Sequence, residues 1–89
     1  MPRKRDVTVH SPEGIDTLPD GDLVVSEDNI NGRLLRVRRD GKQMMEVMLG
    51  GLNRPEGLVV KPDGTVIFAE WLAERGRQRL WVIHGKDSR

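Results

Sequence analysis

The sequence predicts an all-β chain built from two copies of one four-stranded unit. Three observations lead there. Pro12-Glu13-Gly14 returns as Pro55-Glu56-Gly57, and Pro19-Asp20-Gly21 returns as Pro62-Asp63-Gly64, both 43 residues further on. Between these anchors apolar positions match in kind, Ile15 with Leu58, Leu23 with Val66 and Val24 with Ile67, and Glu27 meets Glu70. The segments between are short, rich in β-branched residues, and separated by Pro, Gly, Asp and Asn.

Each predicted element follows from its residues. Gly14 to Leu18 is a first strand, and Pro19-Asp20-Gly21-Asp22 is a turn, with Pro at a position of fixed φ and Gly where φ must be positive. Leu23 to Ser26 is a second strand, apolar on both faces. Glu27 to Gly32 is a polar loop, and its Asp28, Asn29 and Asn31 read as capped-turn residues before they read as calcium ligands. Leu34 to Arg38 is a third strand, Arg39-Asp40-Gly41-Lys42 a hairpin carrying the Asp-Gly signal, and Gln43 to Leu49 a fourth strand. The second copy places strands at Gly57 to Lys61, Thr65 to Glu70 and Arg79 to Ile83, with Trp71 to Gln78 as its longer loop. There Arg33 can match either Arg77 or Arg79. A fourth strand of the second copy is missing, and Val7-Thr8-Val9-His10, which precedes the first Pro-Glu-Gly, has strand propensity and offers a replacement.

A strand-built period of roughly 40–50 residues points to a propeller-type array, in which each unit needs neighbours to cover its faces. Two units do not close a ring. The expected architecture is therefore two four-stranded β-propeller blades per chain, about 12–49 and 55–84. Oligomerisation completes the ring, six-bladed as a trimer or eight-bladed as a tetramer, and residues 7–10 complete a blade of another chain. Residues 1–6 read as a disordered basic N-terminus.

Composition narrows the function classes. With 89 residues the chain is at most one small domain, and with no cysteine it has no disulfide to staple it. No apolar run is long enough for a membrane helix, and no apolar stretch follows the basic start, so a cytoplasmic protein is expected. Fifteen basic residues against 14 acidic ones argue against a general nucleic-acid binder. The clusters Arg33, Arg36, Arg38, Arg39 and Arg75, Arg77, Arg79 read first as solvated faces and strand edges, and second as an anion, protein or nucleic-acid surface.

The Pro-Glu-Gly and Pro-Asp-Gly pattern, followed by Gly32-Arg33-Leu34-Leu35-Arg36-Val37-Arg38-Arg39-Asp40-Gly41-Lys42, resembles blades of NHL-type and gluconolactonase-like (senescence-marker-like) β-propellers over residues 7–87. Those enzymes bind a divalent metal in the central channel through Glu, Asn and Asp. The resemblance implies Glu13 and Glu56 as metal ligands, with Ca or Mg as the cofactor. The Asn ligand of the family's Pro-Asn-Gly motif has no counterpart, since both copies read Pro-Glu-Gly. That weakens the expectation of a metal-dependent lactonase or ester hydrolase.

Asp16, the one charged residue of the first inner strand, and Trp71, at the start of the second loop, are candidate ligand-binding residues. Trp81, Phe68 and Met44, Met45 and Met48 read as packing between blades. His10 and His84, the only histidines, accompany no Ser-His-Asp or Cys-His set, so no catalytic residue is assigned. The function expected is an oligomeric binding or scaffold module with a small-molecule or divalent-metal site in its channel.

Overall fold

Seven strands follow one another with no helix between them: β1 (Pro12–Thr17), β2 (Leu23–Glu27), β3 (Gly32–Val37), β4 (Met45–Leu52), β5 (Pro55–Val60), β6 (Val66–Trp71) and β7 (Gln78–Ile83). The structure is a computed structural model and describes residues 8–39, 45–72 and 76–85. The Asp40-Gly41 hairpin, residues 1–7 and Met44 lie outside the described residues. Thr8, Val9 and His10 carry no strand in the single chain.

All pairing is antiparallel and between sequence neighbours. One sheet has the order β1-β2-β3-β4 and the other β5-β6-β7. The all-β expectation and the seven strand positions hold, with ends displaced by a few residues. β1 and β5 begin at Pro12 and Pro55, where each proline pairs with a glutamate, Pro12 with Glu27 at the end of β2 and Pro55 with Glu70 one residue before the end of β6.

The repeat survives as geometry. Gly21 and Gly64 hold φ of 96° and 88°. Around them Leu18 and Lys61 each donate an amide to the carbonyl four residues on, Asp22 and Thr65, at 2.7 and 2.8 Å. The turn carboxylates also match, Asp20 taking the Asp22 amide and Asp63 the Thr65 amide, both at 2.9 Å. Register settles the alignment of the third strands. Val25 pairs with Leu35 and Phe68 with Trp81, so Arg33 corresponds to Arg79, and Gly32-Arg33 does not correspond to Gly76-Arg77.

The two sheets pack face to face. Val24, Leu34, Leu18 and Leu52 of the first meet Val66 and Phe68 of the second, all buried, with Met48, Leu58, Val60, Trp81 and Ile83 around them. Phe68 and Trp81 stack with ring centroids 6.3 Å apart. Burying Phe68 contributes about 1.5–3 kcal/mol, and the stacked pair about 0.5–1.5 kcal/mol more. β1 and β5 approach closely at Gly14, where an added Cβ would stand 2.8 Å from Leu58 Cβ.

Candidate functional site

The end of the molecule where β1 and β5 begin gathers the polar residues. Four segments meet there: the approach to β1 at His10-Ser11, the β2–β3 loop at Asp28 to Asn31, the crossover Asn53-Arg54, and Trp71. Two buried glutamates build it. Glu27 accepts the His10 amide at 2.9 Å and a forked pair of bonds from Arg33. Glu70 accepts the Asn53 amide at 2.8 Å and the Trp81 indole N–H at 2.9 Å. His10 and Asn53 are repeat equivalents, so each carboxylate ties down the chain entering its own sheet. The Arg33 guanidinium, then the His10 amide, hold the Glu27 carboxyl below the usual range for Glu despite burial.

The two residues that precede the prolines, Ser11 and Arg54, have φ of 51° and 48°. A proline ordinarily drives its predecessor to extended backbone, and a non-glycine residue in the left-handed region is held there by its surroundings. The holding contacts are visible. Ser11 C=O accepts the Asp28 amide at 2.8 Å, and Arg54 N–H donates to Asn29 C=O at 2.6 Å. The side-chain amide of Asn53 also donates to Trp71 C=O at 2.9 Å.

On this frame the proposed site residues separate into two groups. Glu56, Trp71 and Glu13 lie at the β1/β5 mouth. The Trp71 indole N–H donates to Glu56 Oε2, so two residues singled out from sequence are in contact. Glu13 is exposed. Its match to Glu56 is incomplete in backbone terms. In β1 the residue bulged out of register is Glu13, between Pro12 and Gly14, whereas in β5 it is Gly57, between Glu56 and Leu58. Asp16 lies elsewhere, near the far end of β1. Its Oδ2 accepts the Val60 amide at 2.8 Å and its Oδ1 the Thr17 amide at 2.8 Å. These two amides, Val60 first, lower its pKa.

Arg54, which sequence reasoning passed over as crossover, supplies the positive charge of the mouth. Its guanidinium pairs with Asp28 at 3.0 Å. Its pKa is raised by that bond first and then by the negative charges of Asp28, Glu56 and Glu13. The only signal in the sequence was position, since Arg54 sits beside Pro55-Glu56 as Ser11 sits beside Pro12-Glu13. Asn29 and Asn31 form the expected turn, with Asn29 Oδ1 taking the Asn31 amide at 3.3 Å.

The arginines are internally satisfied where their partners are described. Arg33 pairs with Glu27, Arg36 pairs with Asp20 and Asp22, and the Arg79 guanidinium lies 5.6 Å from the centre of the Trp81 ring. A polar groove of about 550 Å³ runs beside the Glu27–Arg33 pair, lined by His10, Asn29, Asn31 and Gly50-Gly51. His84 lines a separate cavity of about 200 Å³ between the two Pro-Asp-Gly turns. Among the described residues no group of three or more His, Asp and Glu is placed to hold a metal ion, and no helix is long and apolar enough to cross a membrane. No family model matches the chain, and neither a curated protein nor a solved structure does.

Proposed function

We propose that the chain is a binding or scaffold module, two blades of a propeller-type ring completed by further copies, which holds a small polar, polyhydroxylated ligand at the mouth where β1 and β5 begin. The contact between the Trp71 indole and Glu56 carries this reading. It fixes an aromatic face beside a carboxylate, with the Arg54–Asp28 pair alongside. An aromatic face with charge-assisted donors and acceptors at its rim suits a sugar-class molecule, whose C–H face stacks and whose hydroxyls need paired partners. A divalent cation fits this mouth less well, because Arg54 already brings a fixed positive charge within reach of Glu56 and Glu13. The hydrolase alternative has less support still, since both copies read Pro-Glu-Gly and the Asn ligand of the family's Pro-Asn-Gly motif has no counterpart.

The test is a fluorescence titration with a panel of neutral monosaccharides. A saturable change is expected in the wild type, lost in Trp71→Phe and weakened in Glu56→Gln. A panel that gives no saturable change, or a response unaltered in Trp71→Phe, would remove this mouth as the site.

A further inference from the structure

We infer that the groove beside the Glu27–Arg33 pair binds a phosphate group, as a second site independent of the Trp71–Glu56 mouth. The ion pair supplies the first argument, because its two ends are unequally exposed. The Glu27 side chain is 3% exposed and that of Arg33 32%. Both Glu27 oxygens are already occupied. Oε1 accepts from Arg33 Nε–H, and Oε2 accepts from Arg33 Nη2 and from the His10 amide, at 2.8 and 2.9 Å. The negative end of the pair is thus buried and satisfied, and a molecule entering the groove meets the guanidinium. The fork uses Nε–H and one N–H of Nη2, so both N–H groups of Nη1 and the second of Nη2 stay available as donors. The same fork holds the guanidinium in one orientation, which lowers the ordering cost of binding.

The other lining residues add donors and room. Asn29 Oδ1 is taken by the Asn31 amide, which leaves the Asn29 side-chain NH2 as a donor. The Asn31 side chain and the His10 imidazole, both on exposed residues, complete the polar lining. These donors come from three segments around one groove, an arrangement that suits a tetrahedral oxyanion and its charge-assisted bonds. The space is kept open by a bulge. Gly32 pairs with Leu52 and Leu34 with Leu49, so Gly50 and Gly51 together stand against Arg33. An added Cβ at Gly51 would meet nothing within 4 Å, and one at Gly50 only Val47 Cγ1 at 3.8 Å. The second sheet does not repeat the arrangement. Glu70 serves Asn53 and Trp81 there, and the guanidinium of Arg79, the equivalent of Arg33, lies over the Trp81 ring. One phosphate per chain is therefore expected.

The experiment is an amide NMR titration of the full chain with sodium phosphate, ionic strength being held constant with sodium chloride. Saturable shifts are expected at His10, Asn31, Gly50 and Gly51, with one site per chain. Two surface variants carry the test. Gly50→Phe fills the groove from a position outside the left-handed region, and Asn31→Asp places a negative charge in it. Each is expected to weaken phosphate binding about tenfold or more while amide shifts elsewhere stay in place. Arg33→Gln should also abolish binding, but it leaves Glu27 buried without its partner, so the surface variants decide. Acetate, which is planar, is expected to bind more weakly than phosphate. The absence of a saturable shift, the same shifts from sodium chloride alone, acetate bound as tightly as phosphate, or an affinity unchanged in both surface variants would overturn the proposal. Trp71→Phe should leave phosphate binding intact, so this site and the monosaccharide mouth fail separately.

Discussion

Asp16 and Val60 lie 44 residues apart in sequence, and the Val60 amide donates to Asp16 Oδ2 at 2.8 Å, joining the first strands of the two sheets. The acceptor of this bond is a charged carboxylate, which two backbone amides favour over its protonated form. The folded-state pKa is depressed, so the contribution is complete above the ordinary Asp range and is lost as pH falls through the folded value. Asp16→Asn should lower the urea midpoint at pH 7, with the gap to wild type closing below about pH 4. A gap that stays constant down to pH 3 would mean the charge plays no part.

Glu27 should be the costlier carboxylate to lose. It is buried and serves the Arg33 guanidinium and the His10 amide together. Charge-assisted bonds of this kind contribute about 1.5–3 kcal/mol each, and Arg33 is partly exposed, which reduces the total. Glu27→Ala is expected to cost about 2–3 kcal/mol by denaturant unfolding at pH 7. Because the Glu27 pKa is lowered, its contribution also fades only as pH drops below the usual value of 4.5. Glu70→Ala should cost about 1–3 kcal/mol, through an Asn53 amide and a Trp81 indole N–H left without an acceptor.

The two Pro-Glu-Gly glycines should respond differently to substitution. At Gly14 a Cβ would meet Leu58 Cβ at 2.8 Å and Ser26 Oγ at 3.0 Å, so the constraint is space. At Gly57 nothing lies within 4 Å of the added atom, but φ is 58°, so the constraint is backbone conformation. Gly14→Ala is expected to cost about 1–3 kcal/mol by overpacking, and Gly57→Ala about 1–2 kcal/mol by strain. Asn tolerates the left-handed region, so Gly57→Asn should recover part of the loss while Gly14→Asn should be worse than Gly14→Ala. Equal responses at the two sites would contradict the geometry.

Calcium should leave the melting temperature of the wild type unchanged against excess chelator, because the Arg54 guanidinium beside Asp28, Glu56 and Glu13 repels a cation there. In Arg54→Gln the carboxylates lose that charge, and added calcium is expected to raise the melting temperature by mass action. A calcium-dependent rise in the wild type that disappears in Glu13→Gln with Glu56→Gln would restore a metal site at this mouth.

The strands and turns were legible because their signals are local. Pro-Asp-Gly fixes a turn wherever it stands, and Val- and Ile-rich runs between turns have few other structures open to them. The repeat exposed the glutamates Glu27 and Glu70 as a matched pair but gave little hint of what they hold, since the partner they share by position, His10 and Asn53, is bound through its main-chain amide, which carries no residue signature. Arg54 was missed for a related reason. Its importance comes from a left-handed backbone beside a proline, which composition does not announce. Asp16 was singled out as the lone charge in an inner strand, and an amide from the neighbouring sheet explains that charge. Glu13 and Glu56 match perfectly as letters, yet the bulge falls on Glu13 in one strand and on Gly57 in the other.

The meander order of the strands has a kinetic consequence. Every hairpin closes a short loop between neighbours, so either sheet is able to form early and at little entropic cost. The bond from Val60 to Asp16 has to wait until both sheets exist. Weakening it should therefore leave the refolding rate nearly unchanged and quicken unfolding, the behaviour of a contact made after the rate-limiting barrier. Asp16→Asn measured by stopped flow would then shift the unfolding arm of the chevron alone. The time for which a folded chain persists would be set at the seam between its sheets.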